Sequence, residues 1–257
     1  MGIVNLTDDS FSGDGLRAQV DTAVAQGMRL VDEGADILDL GAESSRPGAV
    51  PVPAQQELER LLPVIAALRD LGVPLSVDTV KPEVMSAALA AGADMINDIA
   101  ALQAPGALAA VAASPAAICL MHMQGQPRSM QADPRYGDVV AEVADFLVER
   151  VAACASVGIA RERIVIDPGF GFGKTLAHNL ALLRHLDRLV DFGLPVLAGI
   201  SRKSMLGQVT GRPVGERVHA SVAAALLAVQ RGAALVRVHD VAATRDALAV
   251  LQAIEEI

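Results

Sequence analysis

The chain has no tryptophan, one tyrosine and five phenylalanines among its 257 residues. Its core must therefore be filled by aliphatic side chains and alanine, with helices packed closely on small residues. Two cysteines, Cys119 and Cys154, are too few for a disulfide framework, and no His/Cys cluster has zinc-site spacing. One falls in a predicted strand and the other in a predicted helix, so both read as buried free thiols. No apolar run approaches the ~20 residues of a spanning helix. No secretory leader is recognisable, and a cytoplasmic setting is expected. Lysine is scarce: Lys81, Lys174 and Lys203 are the only three, each just beyond a predicted strand. A net charge of −9 argues against nucleic acid as a partner. Any anionic ligand must be held by cations gathered locally.

What the chain has is 52% hydrophobic residues, ample for a large core, and one stretch that organises the rest. Ile164-Val165-Ile166 reads as a buried strand. Asp167-Pro168-Gly169-Phe170-Gly171-Phe172-Gly173-Lys174 follows it. The glycines let the backbone turn sharply and approach a ligand closely. A Walker phosphate cradle needs four residues between its first Gly and the Gly-Lys pair, and only three separate Gly169 from Gly173. The nucleotide reading fails. A carboxylate, an aromatic wall and a cation at the mouth of a strand remain.

Seven other short apolar runs alternate with helical patterns. Strands are predicted at 1–6, 37–40, 75–78, 95–98, 117–121, 196–200 and 235–238. Helices are predicted at 16–33, 54–71, 82–91, 106–113, 138–157, 176–189, 215–231 and 243–257. Pro82 suits the first residue of its helix. Eight strand–helix units with no linker or low-complexity segment imply a single domain, 1–257, built as an α/β (β/α)8 barrel. An open doubly wound sheet is the runner-up, but no Gly-x-Gly-x-x-Gly turn follows strand one.

A barrel gathers the C-terminal ends of its strands on one face, which carries the site. Those ends hold Asn5, Asp39, Asp78, Asn97, Asp98, His122, Asp167, Lys203, Arg237 and His239. Singly, each has a plain structural explanation as a cap or strand-end salt bridge. Together they suit a flat heterocycle with adjacent N–H donors, which carboxylates accept in a fork. Arg237 is placed to stack on such a ring. Arg46 and His239 are candidates for phosphate oxygens, and an oxygen-liganded Mg²⁺ bridging a diphosphate is compatible.

The ordered motifs resemble the dihydropteroate synthase family along the whole chain. They are Met1-Gly-Ile-Val-Asn5, Asp9-Ser-Phe-Ser12, Glu43-Ser-Ser-Arg-Pro-Gly48, Asp78-Thr-Val-Lys-Pro82, Ile96-Asn-Asp-Ile99, Met121-His-Met-Gln-Gly125, Asp167 to Lys174, Ser201-Arg-Lys-Ser204 and Arg237-Val-His-Asp240. The resemblance implies condensation of 6-hydroxymethyl-7,8-dihydropterin diphosphate with 4-aminobenzoate, releasing pyrophosphate, by a dissociative route. It implies that Asp78, Asn97, Asp167, Lys203 and Arg237 hold the pterin. It assigns Asn5, Ser45, Arg46, Arg237 and His239 to the diphosphate, with Asn5 on Mg²⁺. Arg46, Pro47, Phe172, Lys203 and Ser204 would line the 4-aminobenzoate site, and Lys203, Arg237, His239 and Arg46 would carry the catalysis. A homodimer through late barrel helices is implied as well, with the alanine-rich face of 215–231 as one candidate surface.

The chain departs from the family pattern in loop one, where Thr7-Asp8-Asp9-Ser10 stands for Thr-Pro-Asp-Ser. Ser44-Ser45-Arg46 stands for Ser-Thr-Arg and keeps the hydroxyl, and Ala42 replaces a common glycine. Relatives often carry a short segment before strand one, where this sequence begins. Two alternatives share the pterin-binding barrel: a methyltetrahydrofolate-dependent corrinoid methyltransferase and a non-catalytic pterin-binding paralogue. The first has no need of Ser201-Arg-Lys-Ser204 or Arg237-Val-His239. The second would have decayed loops, and the changes seen are mild.

Overall fold

The computed structural model describes residues 1–6, 16–45 and 48–255. In chain order the elements are β1 (Gly2–Asn5), α1 (Leu16–Asp32), β2 (Leu38–Gly41), α2 (Ala54–Leu68), β3 (Leu75–Asp78), α3 (Pro82–Ala91), β4 (Met95–Asp98), α4 (Ala107–Ala112) and β5 (Ala117–Met121). There follow α5 (Val139–Ser156), β6 (Ile164–Asp167), α6 (Leu176–Arg184), α7 (Asp187–Val190), β7 (Leu197–Ala198), α8 (Ser204–Thr210), α9 (Val218–Gln230), β8 (Leu235–Val236) and α10 (Val241–Glu255). Eight parallel strands alternate with helices, as the sequence pattern predicts.

β1 to β6 form one parallel sheet in sequence order, and β7 pairs with β8 in a second. Single bridges, Ile166 with Val196 and Gly2 with Val238, join the two sheets at their flanks. The ladder is therefore continuous over six strands and thin at two seams.

Helix ends follow local chemistry. Pro82 opens α3, where a missing N–H costs nothing, and Gly92 closes it in the left-handed conformation at φ 107°. Asp138 caps α5 by accepting from the backbone N–H of Val140 and Ala141. The predicted helix 176–189 is instead two, α6 and α7, because the chain breaks at His185 and Leu186. A short helix, α8, fills part of the predicted 201–214 connection, and a 3-10 turn at Val214–Glu216 precedes α9. The helix predicted from 215 thus begins at Val218.

Two apolar layers fix which way each strand residue faces. Leu38, Leu40, Leu75, Val77, Ile96, Ile118, Leu120, Ile164 and Ile166 pack outward against the helices in one large cluster. Successive strand residues alternate sides, so their neighbours point into the barrel. There Met1, Met95, Cys119, Val165 and Leu197 form a separate apolar plug. One step further along the strands the inward positions become polar. Both cysteines are buried and free. No helix among the described residues is long and apolar enough to cross a membrane.

Candidate active site

The inward alternation puts Asp39, within β2, and Asp78, Asn97 and Asp167, at or next to the C-terminal ends of β3, β4 and β6, above the plug. Arg237, just past β8, ties them together. Its Nε donates to Asp39 Oδ2 at 2.6 Å, and its Nη2 donates to Asp78 Oδ2 at 3.2 Å. Asp39 is fully buried and also accepts from Asn97 Nδ2 at 3.3 Å. The sequence reading placed Asp39 among the strand ends but gave it no ligand. Its position is that of an anchor beneath Arg237.

The other side of the site is built by the loops after β6 and β7. Asp167 Oδ1 accepts from the backbone of Gly169 at 2.7 Å. Lys203 Nζ donates to the Phe170 carbonyl and lies 4.6 Å from the centre of the Phe172 ring. Gly199 sits between these groups. A Cβ there would stand 3.8 Å from Lys203 Nζ and 3.9 Å from both Arg237 Cβ and Asp167 Oδ2. Its missing side chain leaves the focus of the charged groups open, a signal the sequence offered and the strand-end reading passed over.

Burial sets the protonation of these groups. It lifts the Asp78 carboxyl to about 7, even though Arg237 pulls the other way. Asp167 is lifted for the same reason, against the opposing charge of Lys203. Burial brings the Lys203 ammonium down to about 8, with Asp167 holding it from falling further. Burial alone would also lower Arg237, but Asp39 and Asp78 outweigh it and the net shift is upward. The site thus pairs one permanent cation with Asp78 and Lys203, whose protons are loosely held near neutrality.

His239 is oriented by Ser201, whose Oγ lies 3.0 Å from Nδ1 and accepts the His239 backbone N–H at 3.2 Å. The turn between them is stapled. Arg202, at φ 58°, donates twice to the Asp240 carboxylate, and its backbone is held by Ser221 and Arg217. Ser204 is the exposed first residue of α8. Asn5 ends β1 in register with Gly41. Ser45 lines a cavity of about 400 Å³ that also takes in Asp78. Arg46 and Pro47 lie outside the described residues, as does most of loop one.

One expectation is corrected. Lys174 is not a cation at the mouth. It is 3% exposed and turns inward, donating to the carbonyls of His122, Gly169 and Phe172 and meeting His122 Nδ1 at 2.9 Å. It closes the glycine loop on itself. Burial lowers its pKa to about 7, and burial plus Lys174 lowers that of His122 to about 3. His122 packs edge-on against Phe146 and is a neutral structural residue. Asp98 is structural too. Its carboxylate accepts from the backbone of Ala100 and Leu102, beside the left-handed residues Ala101 and Leu102. Phe170 is fully buried in the outer layer, so of the two loop phenylalanines only Phe172 faces the site.

The glycine loop also explains its own composition. Gly169 and Gly173 have φ of 69° and 61°. A Cβ at either would collide with a carbonyl oxygen, that of His122 or that of Gln124. Tyr136 Oη donates to Gly173 O at 2.9 Å, and Asn179 Oδ1 accepts from Gly171 at 2.7 Å. Phe172 and the Phe170 carbonyl are thereby presented to Lys203 on a fixed support.

Residues 1–239 match the family model described as pterin binding enzyme. A dihydropteroate synthase from Neisseria meningitidis serogroup B is 54% identical over 261 residues, covering 99% of this chain and 92% of the relative. The solved structure of Xanthomonas albilineans dihydropteroate synthase with 4-aminobenzoic acid superposes with a TM-score of 0.95 at 58% identity. It covers 100% of this chain and 93% of that one. The same enzyme in complex with 7,8-dihydropteroate gives 0.92 at 56% identity, with the same coverage. The match spans every strand end that carries the charged focus, and the chain belongs to the dihydropteroate synthase family of pterin-binding enzymes.

Proposed function

We propose that this chain condenses 6-hydroxymethyl-7,8-dihydropterin diphosphate with 4-aminobenzoate to give 7,8-dihydropteroate and pyrophosphate. The observation that carries the reading is the Arg237 hub with Asp39, Asp78 and Asn97, facing Asp167 and Lys203 across Gly199. Asp78, Asn97 and Asp167 supply the acceptors and the amide that a flat pterin edge requires, and Arg237 offers its guanidinium plane to the ring. Lys203, over Phe172, borders both the pterin and the 4-aminobenzoate, with Arg46, Pro47 and Ser204 completing the second subsite.

The carbon–oxygen bond to the diphosphate breaks first, and its electron pair leaves with pyrophosphate. Arg46, Arg237, His239, Ser45 and Asn5 stabilise the charge gathering there. The ring spreads the positive charge left on the methylene, and the carboxylates around it favour that cation. The neutral aniline nitrogen then forms the new bond and loses one proton to solvent. No strong base is needed, because the attacking aniline nitrogen is neutral and brings its own lone pair. Asn5 is the residue that would hold Mg²⁺, since its side-chain amide oxygen is a donor that suits a hard cation. When bound, the ion would neutralise diphosphate charge.

Two residues of the second subsite, Arg46 and Pro47, belong to the 41–53 loop, and in this scheme the pterin diphosphate binds first and 4-aminobenzoate second. A homodimer is part of the proposal. Leu180 of α6 and Leu227 of α9 are 44% and 41% exposed and border one shallow groove, which a second copy would cover. Light scattering at micromolar concentration tests it. The reaction itself is tested by supplying both substrates and measuring pyrophosphate and dihydropteroate together. Stoichiometric appearance of both is expected. Pterin binding without turnover would leave a binding protein, and methyl transfer from methyltetrahydrofolate to a corrinoid would leave the sister activity.

A further inference from the structure

A second charged cluster, beside the site, has no part in the chemistry above. Lys81 Nζ lies 2.5 Å from Glu43 Oε2 and 2.5 Å from Glu57 Oε2. Glu57 is fully buried in the first turn of α2, and its Oε1 finds no partner among the described residues. It depends on Lys81 for compensation of its charge. Burial alone would lower the pKa of Lys81, but the two carboxylates outweigh it, and the amine is held firmly protonated.

The arrangement spans the 41–53 loop. Glu43 stands at the loop's beginning, and the same Oε2 that meets Lys81 accepts the backbone N–H of Val52, near its end, at 2.9 Å. One carboxylate oxygen therefore ties the two legs of the loop together. Lys81, the residue before α3, ties that oxygen to α2 through Glu57. Three residues on, Arg60 shares the face of α2 with Glu57 and reaches the carbonyls of Leu6 and Ala42, where loops one and two leave the barrel. In sequence, Ser45, Arg46 and Pro47 fall between Glu43 and Val52. The cluster is not itself an anion site, because two carboxylates against one ammonium leave it net negative.

We propose that Lys81 is a positioning residue for the second substrate: it sets the geometry of the 41–53 loop, and through it the 4-aminobenzoate subsite. The inference rests on the reaction proposed above. Lys81→Met should raise the KM for 4-aminobenzoate by about ten- to a hundredfold, as a displaced but intact subsite does. Pterin affinity, measured by calorimetry, should stay within about twofold. Lys81→Arg, which keeps the charge and both acceptors, should restore most of the loss. Lys81→Met alone removes the partner of the buried Glu57 and costs stability, so the Lys81→Met/Glu57→Met double variant is the decisive arm. Replacing the buried pair by apolar groups should return the urea midpoint to that of the parent, while the raised KM persists. A double variant with both midpoint and KM restored would show a merely structural pair and overturn the proposal. So would an unchanged KM in Lys81→Met. Turnover by the parent enzyme checks the reaction separately. Calorimetric titration of 4-aminobenzoate in the presence of pterin and pyrophosphate reads the same subsite without turnover.

Discussion

Asp39→Asn is the most informative single change in the site. Asp39 is fully buried, and its Oδ2 receives both Arg237 Nε, at 2.6 Å, and Asn97 Nδ2, at 3.3 Å. An asparagine keeps the shape but has one acceptor oxygen. If that oxygen takes the place of Oδ2 it keeps both donors, but the new NH2 then stands where Oδ1 was, 3.5 Å from Asn97 Nδ2, and a buried donor goes unpaired at ~1–3 kcal/mol. The charge opposite Arg237 is lost as well. Breaking a buried pair costs ~3–5 kcal/mol when one partner is left alone. Here Asp78 still holds Nη2 at 3.2 Å, so the lower end applies. The expected loss of unfolding free energy is about 3 kcal/mol, read from urea denaturation. Arg237 also loses its fixed pose, and pterin affinity measured by calorimetry should fall by at least about tenfold, or ~1.4 kcal/mol. If both quantities stay within about 0.5 kcal/mol of the parent, Asp39 is not the anchor of Arg237 and the hub is wrongly drawn.

Lys203→Gln keeps length but removes the charge over Phe172, and kcat/KM should drop by about a hundredfold with the urea midpoint unchanged. A loss of less than about twofold in steady-state assays would remove Lys203 from the site. His122 is held near 3 in the folded protein against 6.5 in an unfolded chain. The unfolded state therefore takes up the proton first, and stability falls as pH drops from 6.5 through about 3. Between pH 7 and pH 5 this one residue should cost about 2 kcal/mol. Urea midpoints across that range should show it, and His122→Gln should flatten the slope; an identical slope in the variant assigns the effect elsewhere. Gly173→Ala places a side chain at φ 61° against the Gln124 carbonyl and should destabilise by more than ~1–2 kcal/mol, with Phe172 displaced. Unaltered stability and 4-aminobenzoate affinity would show that the loop has slack.

Much of the barrel is written in short-range patterns. β6 is three aliphatic residues and an acid, and α3 runs from Pro82 to Ala91 as predicted because proline and glycine mark its two ends. The strand-end polar residues were legible for the same reason: alternation and burial leave few roles for an aspartate at the end of an apolar run. α8 was not legible, since only Met205 and Leu206 of its seven residues are buried and two apolar residues define no period. The break between α6 and α7 is likewise a matter of packing. Lys174 shows a different limit. Nothing in Gly173-Lys174 says whether the amine turns outward to a ligand or inward to three carbonyls; only the closed loop decides. The partnership of Asp39 with Arg237 joins residues 198 positions apart and exists only once the ring is formed.

The two thin seams make β7 and β8 a panel, attached to the six-stranded wall by one bridge at each edge. Side chains reinforce both edges. Arg237 reaches from the panel to Asp39 and Asp78 on the wall, and Lys203 reaches from it to the carbonyl of Phe170. These clasps are also the groups assigned to the ligand. An open panel has no complete site, and a filled site permits no open panel, so the two events exclude each other. Each unit of binding free energy is then added to the work of opening this quarter of the barrel, while the six-strand wall feels it only in global unfolding. Occupancy would be recorded in backbone exchange at Leu235 and Val236, the two residues of β8.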